Sequence, residues 1–309
     1  MTDWLNVGVR FALYVDLMLL FGLPLFALYN FRHEQRLAKE ALRFDSLMVG
    51  LASLGLLLSV CSMVLLAKSM SGASHFIELK QHIFGMMITG TDAGLACAVR
   101  IGALFLSILC LALMRRWRLA SLGLTVGLSA IALATLAWSG HGAMDEGTRR
   151  YVHFTADILH LLAAAGWIGA LAAFALLLRP SKRDSYNQMR LLSHGLSGFA
   201  VIGTIIVIIL AITGIVNYLL IVGPTLAGIV SSFYGVLLLI KLGLFAAMLG
   251  LAAANRFHLS PLLERAIAHG DHGSAVASLR KSLIFEASAA VLILAVVAWL
   301  GTLSPSGSM

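Results

Sequence analysis

Charge is scarce in this 309-residue chain: Asp, Glu, Lys and Arg make up 12% of it, against 60% hydrophobic residues. A soluble fold of this length cannot hide so much apolar surface, and the mean hydropathy of +0.94 excludes that class. Cysteine is nearly absent. Cys61, Cys97 and Cys110 stand singly in apolar stretches and form no C-x-x-C pair, which excludes a disulfide framework and leaves them as small core residues. There is no G-x-x-x-x-G-K-[ST] loop and no polar stretch large enough for a nucleotide-binding domain, so the chain is not its own ATPase. No internal repeat is visible. The amino terminus lacks a basic leader region with a cleavage site, so it reads as a retained first span.

What is present is hydrophobic length. Apolar runs of about 20 residues, enough to cross a bilayer, fall near 5–30, 46–67, 93–114, 119–138, 154–178, 196–222, 232–254 and 283–303. They predict an all-α polytopic bundle of eight transmembrane helices, forming one integral membrane domain over 1–309. The net charge of +8 is unevenly placed. Loops after the odd-numbered spans hold Arg32, Arg36, Lys39 and Arg43; Arg115, Arg116 and Arg118; Arg179, Lys182, Arg183 and Arg190; and Arg256, Arg265, Arg280 and Lys281. The opposite loops hold only Lys68, Lys80, Arg149 and Arg150. The positive-inside rule puts the basic loops in the cytoplasm and both termini in the periplasm. The charge is therefore a topology signal and not a nucleic-acid surface.

Two connections are long. In 68–92, His75, Glu78 and His82 share one face of a short helix, flanked by Met70, Met86 and Met87. A helix lying at the interface or folded back over the bundle is expected there. The connection 257–282 carries His258, His269 and His272 beside basic residues and reads as a solvated cytoplasmic loop.

The chemistry concentrates at the start of the fifth span. His153, Asp157 and His160 lie four and three residues apart, within about 60° of one another on a helix. His141 and Met144 occupy the loop just before. Imidazole suits copper, zinc, iron and nickel, whereas thioether selects Cu(I). The predicted outer face thus offers His141, His153, His160, Asp157, Glu78 and His82 beside Met86 and Met144, a donor set for copper of either valence. Asp157 could ligate or act as the acceptor that fixes an imidazole tautomer. The plain alternative is a hydrogen-bonded packing cluster. Haem is the rival cofactor, but His160 needs a second histidine at matching depth on another helix. Elsewhere in the spans, Asp16 and Lys241 reach the midplane and could pair, and Arg100 lies at a depth close to that of Asp157. Glu286 opens the last span and could snorkel. These charges read as structural pairs or as an ion pathway.

Several segments carry a family resemblance: WSGHGA at 138–143, HFTADILHLLAAAGWIGAL at 153–171, TGIVNYLLIVG at 213–223 and YGVLLLIKLGLFAAMLGLAAANRFHLSPLL at 234–263. The chain resembles the CopD/PcoD copper resistance family of bacterial inner-membrane proteins. That resemblance implies a multi-pass protein, not an enzyme, that takes copper from the periplasm and moves it across or into the membrane. It also implies a separate soluble copper carrier of the CopC type as partner, besides the lipid bilayer, and neither nucleotide nor nucleic acid. The family pattern falls on His141, His153, Asp157, His160, Trp167 and Gly169. Trp167 and Gly169 read as packing devices, and Asn255 and Arg256 as capping and lipid-contact residues. A b-type haem redox protein, of cupric or ferric reductase type, and a docking or assembly factor for a copper chaperone remain as alternatives.

Overall fold

The computed structural model describes residues 3–30, 44–72, 75–114, 117–140, 146–178, 185–224, 232–262, 265 and 273–303. Among them there is no strand. The helices are α1 (Trp4–Asn30), α2 (Phe44–Ser71), α3 (Gln81–Gly90), α4 (Asp92–Leu113), α5 (Arg118–Ala134), α6 (Gly147–Leu177), α7 (Ser185–Ile221), α8 (Phe233–Ala254) and α9 (Gly273–Leu300). All but α3 supply a stretch long and apolar enough to cross a membrane, so the eight expected spans are present.

α1 is the central helix: it touches α2, α5, α6, α7 and α9, and Leu13, Leu17, Leu20 and Phe26 are fully buried in it. A small-residue contact sets how closely α6 approaches. A Cβ on Gly22 would overlap the Ala165 carbonyl, and one on Gly169 would overlap the Gly22 backbone. Backbone contact of this kind replaces the hydrophobic drive that lipid cannot supply. Gly169 thus marks the point of closest approach between α1 and α6.

α2 and α5 cover one flank of α1, with α4 packed on both of them, and α6 with α7 cover another. α8 packs along α9 but makes no extended contact with α7. A cleft therefore runs between α7 and α8, floored by α6 and α9. This cleft, and the end of the bundle where α6 begins, position everything that follows.

At that same end residues 75–91 fold back over α4. They form a single 3₁₀ turn, Phe76–Glu78, followed by α3, whose Met87 is buried. His75, Glu78, His82 and Met86 are exposed. The start of α6 is tied down by polar contacts above its apolar run: Arg150 pairs with Asp92 of α4, and Arg149 donates to the Leu220 carbonyl of α7. These ties let the helix begin at Gly147, ahead of the first residue that lipid alone would require.

Candidate metal centre

α6 and α7 run antiparallel and present matching polar pairs. On α6 the pair is Asp157 and His160, three residues apart. On α7 it is Thr213 and Asn217, four residues apart, one helical turn on a single face. Asn217 Nδ2 donates to Asp157 Oδ1 at 2.7 Å, and His160 Nδ1 lies 2.9 Å from Thr213 Oγ1. One turn above, His153 is buried, with Nε2 3.8 Å from Asp157 Oδ2.

The hydroxyl of Thr213 fixes the tautomer of His160. Its one proton is donated to the Ile209 carbonyl at 2.6 Å, as β-hydroxyls in helices commonly do. It can then only accept from the imidazole. His160 therefore carries its proton on Nδ1, and Nε2 keeps the lone pair that a metal or a proton would take. A hydrogen bond that orients the far nitrogen is the usual support of a ligating histidine.

A cavity of about 160 Å³ lies at this end. Arg10, Tyr14, Asp157, His160, Asn217, Tyr234 and Lys241 line it, and Arg10 also donates to the Ser139 carbonyl at 3.0 Å. A second cavity of about 340 Å³ begins at His160 and Lys241 and reaches Trp167 along the cleft, with Met248 on its wall. His160 and Lys241 thus stand where the two meet. Asp157 is the carboxylate whose charge acts on Lys241, so the cavity contains one carboxylate, one imidazole and two basic side chains, Arg10 and Lys241, within a mostly apolar wall.

Sequence reasoning placed the donors only in part. His141 and Met144 lie outside the described residues. Glu78, His82 and Met86 stand on the exposed face of the folded-back segment, not in the cavity with His160. Among the described residues no three of His, Cys, Asp and Glu converge as a metal cage. No other histidine lines the two cavities that His160 borders, so the opposing histidine that a haem requires is not found among the described lining residues.

The charge pairs also differ from expectation. Asp16 and Lys241 do not pair. The Asp16 carboxylate is buried against Gly55 of α2 with no hydrogen-bond partner, while Lys241 faces the Asp157 cavity. Arg100 is buried too, and Nε donates to Ser59 Oγ and Nη2 to Cys97 Sγ, each at 3.2 Å. Cys97 is therefore an acceptor as well as a small core residue. Glu286 does not snorkel: it is buried, and Trp167 Nε1 and Asn255 Nδ2 donate to its two oxygens at 3.0 and 2.8 Å. Trp167 and Asn255 accordingly do more than pack and cap. Arg256 reaches across the cleft to the Ala200 carbonyl and Thr204 Oγ1 of α7. Thr213, Asn217 and Tyr234 are hard to see in the sequence because neutral polar residues in spans raise no charge signal, although Thr213 and Asn217 lie at helical spacing in TGIVNYLLIVG, 213–223.

The fold and this end of it define a polytopic helical membrane protein with a paired imidazole–carboxylate site opening into a cavity. Residues 1–151 match the family described as copper resistance protein D-like, N-terminal domain, and residues 194–300 match copper resistance protein D. Copper resistance protein D of Pseudomonas syringae pv. tomato is 53% identical over 305 residues, covering 99% of this chain and 98% of that protein. Inner membrane protein YebZ of Escherichia coli K12 is 26% identical over 306 residues, 97% and 98% of the two chains. Copper transport protein CutJ of Bacillus subtilis 168 is 31% identical over 128 residues, 40% of this chain and 22% of that one. No solved structure matches the chain. The chain belongs to the copper resistance protein D family. It is a multi-pass inner-membrane protein linked to copper handling.

Proposed function

We propose that the protein accepts copper at the His153 end of the bundle and moves it into or across the inner membrane. One observation carries the reading: His160, held through Nδ1 by Thr213 with the Nε2 lone pair left over, lines both cavities where they meet, and Asp157 lines one of them. Imidazole and carboxylate suit Cu(II), and the Met248 thioether further along the cleft suits Cu(I). Lys241 balances the Asp157 charge when no cation is present, and an entering cation competes for it.

The basic loops at the opposite end orient the site toward the periplasm. The exposed His75, Glu78, His82 and Met86 face then becomes a receiving surface for copper brought by a soluble periplasmic carrier of the CopC type. His141 and Met144, just ahead of α6 in sequence, are further candidate donors at that end.

Copper accumulation inside protein-loaded vesicles tests the transport reading, together with metal content and an absorption spectrum of the purified protein. The expected result is retained copper, no Soret band and a rising internal copper signal. Flat internal copper with metal still bound would reduce the protein to a docking factor, and a Soret band would make it a haem protein.

The support behind the imidazole has its own test. Thr213→Val keeps the shape of the side chain and removes the acceptor for Nδ1–H. Copper titration is expected to show affinity weakened about tenfold, the lower end of the usual effect of losing such a partner. Unchanged affinity would mean that the His160 orientation does not matter to binding.

A further inference from the structure

Among the described residues, Glu286 is the buried acid in the half of the bundle away from His153, and nothing in the copper reading uses it. It is 3% exposed, and among the described residues no cation forms an ion pair with it. Two neutral N–H groups hold it instead: Trp167 of α6 donates to Oε1 and Asn255 to Oε2. Asn255 is placed by a π-helical turn, Asn255–Leu259, that ends α8. Such turns insert one extra residue and recur at functional sites. Here Asn255 points inward to the acid and the next residue, Arg256, reaches α7.

The arrangement is complete for a carboxylate in every respect but one. The Oδ1 atom of Asn255 is buried and accepts no hydrogen bond. A buried amide oxygen without a donor costs about 1–3 kcal/mol. If Glu286 takes a proton on Oε2, the amide can turn over so that Oδ1 accepts from the new O–H. Trp167 keeps its bond to Oε1 as the carbonyl of the acid. The same three side chains therefore serve both protonation states, with one 180° turn of an amide between them.

The proton has a route. Glu286, Asn255, Trp167 and Arg256 line a cavity of about 520 Å³ at this end of the cleft. Trp167 also closes the cavity that leads from His160, so one indole touches both compartments. The other ionisable groups are directed elsewhere. Arg256 is bonded to Ala200 and Thr204, and His258 in the same turn is exposed. Arg280 and Lys281, earlier on α9, are exposed as well. On α1, Arg10 lies against Gly301 at the far end of α9, and Asp16 lies against Gly55 of α2. The α7 residues that line the cavity include Ser197 and Thr204 but no ionisable side chain.

We propose that Glu286 is a proton-binding site reached from the cavity between α7 and α8, with Asn255 as the group that turns over between its two states. The proton comes from cavity water and returns to it, so no other reactant is needed. That it is the coupling ion for copper movement rests on the transport reading above.

Infrared difference spectroscopy of the full chain in lipid nanodiscs, stepped from about pH 5 to pH 9, reads the site directly. A protonated-carboxyl C=O band that falls with rising pH and shifts in D₂O is expected. Glu286→Gln should remove it and Asp16→Asn should leave it. Trp167→Phe should move it to higher wavenumber, because the acid carbonyl loses its donor; this variant keeps the test alive if Glu286→Gln does not fold. A band that survives Glu286→Gln, an unmoved band in Trp167→Phe, or no titrating band at all overturns the proposal. Copper retention measured on the same wild-type samples separates the two readings: no bound copper with the band intact removes the metal site and leaves the proton site standing.

Discussion

His160→Ala is expected to weaken copper binding about a hundredfold, close to 2.8 kcal/mol, without unfolding the protein. The effect is large because the substitution deletes the one imidazole shared by both cavities. It also leaves the Thr213 hydroxyl merely without an incoming donor, since its own proton remains bonded to Ile209. No buried group is stranded, so the thermal midpoint should stay near that of the wild type. His153→Ala is expected to act in the same direction through the Asp157 side of the site, from 3.8 Å away. Isothermal titration with a competing chelator measures both. Wild-type affinity in the His160 variant would move the site out of α6.

Gly169→Leu is the substitution with the largest expected effect on the fold. Its Cβ alone would overlap the Gly22 backbone, and backbone cannot yield as a flexible side chain does. α1 and α6 would have to separate along their central contact, where Ala165 and Ala170 are fully buried. Overpacking in a dense interior costs about 1–3 kcal/mol, and displacing backbone places this case at the upper end. The reciprocal change, Gly22→Leu, should do the same. Thermal unfolding in detergent or nanodiscs is expected to show a clear drop in midpoint for both, with copper binding lost only as the bundle opens. A wild-type midpoint would mean that the two helices do not meet at these glycines.

The spans were legible because bilayer thickness sets their length and lipid demands apolar residues along it. Their starts were less so. α6 begins at Gly147, not near 154, because Arg149 and Arg150 find partners on α7 and α4 that composition does not announce. α9 likewise begins at Gly273, and this earlier start carries Glu286 some ten residues into the candidate span, past the depth where it could snorkel. Depth is the coordinate that sequence supplies; azimuth is the one it withholds. Asp16 and Lys241 are expected at one depth from their positions in the spans, but they look toward different neighbours and do not pair.

The candidate site divides along the same line. The helical spacing of His153, Asp157 and His160 was visible because it lies within one helix. Their partners, Thr213 and Asn217, come from a second helix, and only the antiparallel register of α6 and α7 aligns them. Trp167, Asn255 and Glu286 come from three separate elements, so no single segment could have shown that they meet.

Copper-edge X-ray absorption on the copper-loaded protein in nanodiscs tests the central claim most directly, comparing the wild type with His160→Ala at equal metal loading. The expected result is an imidazole multiple-scattering pattern in the wild type that weakens by one histidine in the variant. An unchanged pattern would show that the metal is held elsewhere and that His160 is a packing residue.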